Sequence, residues 1–235
     1  MSSEALLELR AIGKSFNGLV AVDAVSFAVR PGEILGLVGP NGSGKTTTIN
    51  LISGIVPADS GEILFEGRPI QGLRPFRRVH LGINRSFQVP KPFREMTVAQ
   101  NIEVAAEFGG HRGADREKIL AELGFAAQRD KLAGELTVNQ QKMLDLGRAL
   151  ATGPKLLLID EIGAGLNPHE LAGVADALAR LARRGIALVV VEHLLNFLNR
   201  ITDRVIVLNA GRKLFEGTLK DASADPGVVA AFLGG

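Results

Sequence analysis

Gly39, Pro40, Asn41, Gly42, Ser43, Gly44, Lys45 and Thr46 follow one another in the pattern G-x-x-x-x-G-K-T, and each part of it suits one task. Glycines let backbone N–H groups turn inward around phosphate oxygens, and a helix starting at the lysine adds its positive N-terminal end. The Lys45 ammonium is suited to the β- and γ-phosphates of a nucleoside triphosphate, and the Thr46 hydroxyl to Mg²⁺. Ser43 and Thr47 offer further hydrogen bonds. A Gly-rich turn between strand and helix needs no ligand, but here the apolar stretch 33–38 precedes the loop and a helix over 45–53 is predicted to follow, as phosphate binding requires.

A second pair of reactive groups closes the run Lys155-Leu-Leu-Leu-Ile-Asp160-Glu161. A strand buried on both faces delivers its C-terminal end to the rim of an open α/β sheet, where ligands bind. Asp160 is then positioned to reach Mg²⁺ through a bound water, and Glu161 to polarise an attacking water or take its proton. Two acids opening a loop are the plainer reading. The phosphate-type loop elsewhere in the chain favours the chemical one.

The elements that must hold these residues are legible in outline. Runs at 6–9, 20–29, 33–38, 61–67, 81–87, 156–159, 186–191, 204–208 and 213–215 read as strands, with Asn17-Gly18 as a turn. Between about 97 and 151 the spacing of charged and apolar residues is helical, and 168–184 reads as a helix with Pro168 at its opening. The expectation is one domain over 1–235: a mainly parallel sheet with helices on both faces, an N-terminal antiparallel β subdomain, and an inserted helical subdomain. The core would take about 1–88 and 152–235, and the helical part about 89–151.

Composition narrows the classes. The 235 residues are 46% apolar and 22% charged with a net charge of +2, as in ordinary globular chains. The Arg77-Arg78-Val79-His80 cluster is too short for a nucleic-acid footprint, so nucleic acid is not expected as a partner. The absence of Cys excludes disulfides and thiolate metal sites. No apolar run approaches the ~20 residues that span a bilayer, and the N-terminus does not read as a signal peptide. Any membrane role therefore falls to partner chains. With no Tyr or Trp, aromatic stacking is left to Phe or His.

Taken together the motifs resemble the ATP-binding subunits of ABC transporters over nearly the whole chain. Besides the two motifs above, the resemblance rests on Gln88 in RSFQ, the LTVNQQ stretch, GAGLN after the carboxylates, and His193 after VVVE. SFNGLVAVDAVSF, NRSFQ, MTVAQNI, AGLNP, VEHLLNFL and AAFLGG are similar to the branch that serves branched-chain amino acid importers. The resemblance implies ATP and Mg²⁺ as cofactors, and two protomers, alike or different, head to tail with ATP between one phosphate loop and the other's signature segment. It further implies two transmembrane permease subunits, an external solute-binding protein if the system imports, and a place on the cytoplasmic face of the membrane. Carried over by position, Phe16 would stack on adenine, Gln88 would touch Mg²⁺ or the attacking water, and His193 would contact the γ-phosphate. Gly165, Leu166 and Asn167 would contact the opposite protomer. Each has a plainer alternative: Phe16 a core side chain, Gln88 a loop polar group, His193 a structural histidine.

The chain departs from the family's Leu-Ser-Gly-Gly-Gln signature, reading Leu136, Thr137, Val138, Asn139 and Gln140. Thr137 keeps a hydroxyl, but Val138 is ill suited to left-handed backbone angles and to a close approach of phosphate. Thr137-x-x-Gln140 also reads as a capping box opening a helix whose apolar face includes Met143, Leu146 and Leu150. Asn167 stands where the family usually has Asp, and Ile162 where it commonly has Pro. A lipid-type exporter, a soluble ABC-type ATPase and a small-molecule kinase are the competing functions. The kinase reading leaves Gln88, His193 and the 137–141 stretch unexplained.

Overall fold

The computed structural model describes residues 5–86, 90–111 and 113–233. Its centre is a six-stranded sheet formed by β3 (Ile34–Val38), β6 (Ile83–Arg85), β7 (Leu156–Asp160), β8 (Ala187–Val191), β9 (Arg204–Asn209) and β10 (Arg212–Gly217), in the order β10-β9-β3-β8-β7-β6. All neighbours are parallel except the terminal hairpin β9–β10. A second, antiparallel sheet joins β1 (Leu7–Phe16), β2 (Leu19–Val29), β4 (Ser60–Phe65) and β5 (Arg68–Pro69) in the order β2-β1-β4-β5.

Alternation along the parallel strands divides the core in two. Leu35 and Leu37, Leu156 and Leu158, and Val189 and Val191 face one side, with α1 (Lys45–Ser53) and the antiparallel sheet. Ile34 and Val38, Leu157 and Ile159, and Leu188 and Val190 face the other. Covered on both faces, such strands carry continuous apolar runs, which is why they stood out in the sequence.

The second face is covered by α6 (Pro168–Arg183), α7 (Leu195–Ile201), α8 (Leu219–Ala224) and the helices of the middle stretch: α3 (Val98–Phe108), α4 (Arg116–Glu122) and α5 (Val138–Ala151). Val98, Ile102 and Ala106 of α3 pack with Leu144, Leu146 and Leu150 of α5. Asn101, fully buried, holds the approach to α3: its amide donates to the Phe93 and Thr97 carbonyls and accepts from the Phe93 N–H. The helix α9 (Pro226–Leu233) closes the described chain.

Several elements differ from the sequence reading. The first strand continues to Phe16, passing three register shifts and a left-handed Ala11, irregularities that disguise alternation. The stretch read as a strand over 81–87 is split: α2 (Pro75–Leu81) ends at Gly82, whose φ of 102° lets its N–H cap the Arg78 and Val79 carbonyls, and β6 follows. Phe87 lies outside the described residues.

One arginine of the short basic cluster proves structural, while Arg77 and His80 are exposed. Arg78 is 1% exposed, and its guanidinium donates to the Leu51 and Ile52 carbonyls at the end of α1 and to the Gln71 and Leu73 carbonyls. Burial lowers its pKa to about 10, which still leaves it charged at neutral pH.

Candidate nucleotide site

The loop between β3 and α1 has a backbone that only glycine can follow at its two ends. Gly39 and Gly44 have φ of 150° and 101°, and an added Cβ would fall 2.1 Å from the Leu208 carbonyl oxygen and 2.5 Å from that of Ala21. The loop thus lies flush against β9 and β2, while Asn41 and Gly42 form an exposed lip. The Ser43 carbonyl accepts from the Gly211 N–H at 3.1 Å, anchoring the loop's inner wall to the β9–β10 turn.

Lys45 opens α1 and folds back over this cup. Its Nζ donates to the Gly39 and Pro40 carbonyls at 2.8 and 2.9 Å and lies 3.5 Å from Ser43 Oγ. Burial pushes its pKa down, and the charges of Glu161 and Asp160 oppose that shift. One ammonium, the amide-lined loop and two carboxylates therefore share one electrostatic neighbourhood. Thr46 is exposed and Thr47 half-buried. Phe16, at the end of β1, is 44% exposed with the Lys14 ammonium 5.4 Å from its ring centroid, so it is no core side chain.

Asp160 ends β7 and is 3% exposed. Desolvation raises its pKa, and the Arg85 guanidinium, 2.8 Å away, works against that rise. The other arm of Arg85 reaches Asn50 Oδ1 on α1, so β6 bridges β7 to the phosphate-loop helix. Thr46 and Asp160 supply hard oxygen donors of the kind Mg²⁺ takes. Among the described residues no three His, Cys, Asp or Glu converge on a metal site.

Glu161 follows at a φ of 50°, with its N–H on the Val191 carbonyl at 2.9 Å. Because β7 and β8 pair Asp160 with Val191, the residues beyond both strands meet: His193 Nε2 lies 3.1 Å from Glu161 Oε1. Gln88 lies outside the described residues.

Thr137 N-caps α5 in a full capping box. Its hydroxyl accepts from the Gln140 N–H at 3.3 Å, and Gln140 Oε1 accepts from the Thr137 N–H at 3.0 Å. Leu136 is buried, and Val138 is 64% exposed. Val138 and Asn139 are already helical, so the expected demand for left-handed angles at these two positions is absent: α5 begins at Val138. Gly165 has a φ of 78°, Leu166 is half-buried, and Asn167 caps α6 in a second box with Glu170. An Asn amide oxygen caps as a carboxylate does. Ile162, 3% exposed, belongs to the core.

Sequence reasoning missed Arg85, Asn50, Lys142 and Glu192. Lys142 had a signal, being one helical turn before Leu146 on the apolar face it identified. Glu192 had none: it reads as an acid in a loop, and only the fold turns it inward to accept from the Gly163 N–H at 2.5 Å.

Comparison with known proteins identifies the family. The family model described as "ABC transporter" matches residues 22–164. A probable branched-chain amino acid transport ATP-binding protein, LivG, of Archaeoglobus fulgidus is 35% identical over 97% of this chain and 95% of its own length. The high-affinity branched-chain amino acid transport ATP-binding protein LivG of Escherichia coli K12 is 32% identical over 99% of both. The crystal structure of the ADP conformation of MJ1267, an ATP-binding cassette of an ABC transporter, superposes with a TM-score of 0.90 at 33% identity, covering 99% of this chain and all of the other.

Proposed function

This chain belongs to the ABC transporter family as an ATP-hydrolysing subunit, and from that premise we propose that it powers import of branched-chain or related amino acids. It binds ATP and works with transmembrane permease components. The observation that carries the catalytic part is the field shared by Lys45, Asp160 and Glu161 at the C-terminal rim of the parallel sheet. The cargo class rests on the names of relatives matched along almost their full length.

The geometry of the described residues supports the following roles. The 39–47 loop binds the phosphates through its amides, and Lys45 exchanges the Gly39 and Pro40 carbonyls for β/γ-phosphate oxygens. Phe16 offers an exposed ring to the adenine. Thr46 and Asp160 would hold a Mg²⁺ ion, a role the family resemblance extends to Gln88, and the ion would supply charge neutralisation at the phosphates. Glu161 polarises the attacking water, and His193, already on Glu161 Oε1, steadies that carboxylate and reaches the γ-phosphate.

Segments 136–140 and 165–167 are exposed or half-exposed apart from Leu136, as surfaces meeting a second ATP-binding protomer would be. The partner is another copy or a related chain. Two permease subunits and an external solute-binding protein complete the system, with this chain on the cytoplasmic face. The core, about 1–88 and 152–235, carries the phosphate loop, and the helical part, about 89–151, carries the signature. No helix among the described residues is long and apolar enough to cross a membrane.

Uptake of labelled leucine, isoleucine and valine tests the reading in cells lacking this chain. The wild-type chain is expected to restore uptake, and Glu161→Gln is expected to bind ATP yet fail to restore it. Normal uptake without the chain would remove the importer assignment while leaving the ATPase intact.

A further inference from the structure

The turn after Glu161 is held by two charged side chains. Lys142, in the first turns of α5, is 8% exposed and has three N–H donors. They meet the carbonyl oxygens of Glu161 at 3.3 Å, Ile162 at 3.4 Å and Ala164 at 2.6 Å. Glu192, 3% exposed, accepts from the Gly163 N–H of the same turn at 2.5 Å and from the His193 N–H at 3.3 Å. A cation holds the carbonyls and an anion the amide of one four-residue turn, the pairing that makes a buried charge tolerable.

The turn needs such a grip. Glu161 sits at a φ of 50°, a region that side-chain-bearing residues leave unless their surroundings over-determine it. A second tie runs from the same helix end. Asn139 Nδ2 donates to Glu170 Oε1 at 2.8 Å, and the other oxygen of Glu170 accepts from the Asn167 N–H at 2.8 Å. Asn139 and Lys142 are three residues apart on one face of α5, so the head of that helix holds both ends of the 161–167 segment.

We propose that Lys142 is a positioning residue for Glu161, tying the head of the signature helix to the backbone of the water-polarising carboxylate within one protomer. Thr137 and Val138 stand exposed at the front of that helix, and Lys142 holds the Glu161 turn one turn behind them. A displacement of the helix head on meeting the partner's nucleotide is carried to the 161–164 turn through three hydrogen bonds, one of them to the Glu161 carbonyl. Hydrolysis in each protomer thereby senses engagement of its own signature segment. The inference rests on the role proposed above for Glu161.

The test uses the full chain and compares Lys142→Met, Lys142→Arg, Glu161→Gln and the double variant Lys142→Met/Glu161→Gln. Lys142→Met keeps the stem and removes the donors. It is expected to lower kcat for ATP hydrolysis by roughly tenfold or more, with ATP affinity at equilibrium unchanged within about twofold, since the phosphate loop is untouched. Lys142→Arg, which keeps a cationic donor, is expected to recover most of kcat. In the Glu161→Gln background Lys142→Met is expected to cause no further loss. A merely structural lysine would instead reduce ATP binding or active fraction by the same factor in both backgrounds, and that result overturns the proposal. Normal turnover by Glu161→Gln overturns both this inference and the reading of Glu161. An inactive Glu161→Gln beside a fully active Lys142→Met overturns the tie alone. If Lys142→Met does not fold, Glu170→Ala cuts the second tie from outside the signature, and an unchanged kcat there overturns the proposal as well.

Discussion

His193 Nε2 and Glu161 Oε1 stand 3.1 Å apart, although 32 residues separate them in the chain. The contact follows from register: parallel β7 and β8 end side by side at Asp160 and Val191, and the next residues of both meet over the rim. Removing the imidazole leaves the carboxylate without this partner and takes away the donor proposed for the γ-phosphate beside Lys45. His193→Ala is expected to lower kcat by about 10²-fold, the usual cost of one preorganised donor, with a much smaller change in ATP affinity. Steady-state hydrolysis beside equilibrium nucleotide binding separates the two effects.

Lys45→Ala removes the ammonium from the phosphate cup. One charge-assisted hydrogen bond contributes about 1.5–3 kcal/mol, so ATP affinity is expected to fall roughly 10- to 100-fold. Fluorescent-nucleotide titration measures this. Unchanged affinity would remove Lys45 from the binding site.

Arg78→Met strips the cap from the end of α1 and leaves four backbone carbonyls without their guanidinium. A cost of about 3 kcal/mol is expected, because the buried Leu51 and Ile52 carbonyls would lose a charged donor. Urea denaturation reads it as a lower midpoint at unchanged slope.

The folded-state pKa of Glu192 is raised, chiefly by burial, with its two backbone N–H donors opposing the rise. As pH climbs from the ordinary carboxylate value through the raised one, the unfolded chain ionises first, and stability is lost across that window. Glu192→Gln still accepts from the Gly163 N–H but cannot ionise. Its Tm is expected to fall less than that of the wild type over the same window, leaving the part owed to Asp160, whose pKa is raised in the same direction.

Val138 is the exposed side chain at the front of α5. Because the backbone there is helical, Val138→Gly costs up to about 1 kcal/mol of helix stability, while clearing the approach to phosphate. ATP-driven dimerisation and hydrolysis are expected to rise. Sedimentation in the presence of ATP decides it, and no change would show that the valine does not obstruct closure.

Local chemistry alone made much of this protein legible. The loop from Gly39 to Lys45 and the helix Lys45–Ser53 that follows it were legible from the G-x-x-x-x-G-K-T spacing after an apolar run, and Thr137 and Gln140 announce their capping box three residues apart. Continuous apolar runs marked β3, β7 and β8, because strands covered on both faces have no polar side to alternate with. Tertiary structure decided which charged residues turn inward. Arg78 stood in a short basic cluster and Arg85 in a run read as a strand, while Lys142 and Glu192 had been given no role, yet all four turn inward. Each is fixed by partners on other elements, so its fate depends on register and helix packing that no short window encodes. The physical reason is that a buried charge is stable only where several groups converge on it, and that convergence exists only after the chain has closed.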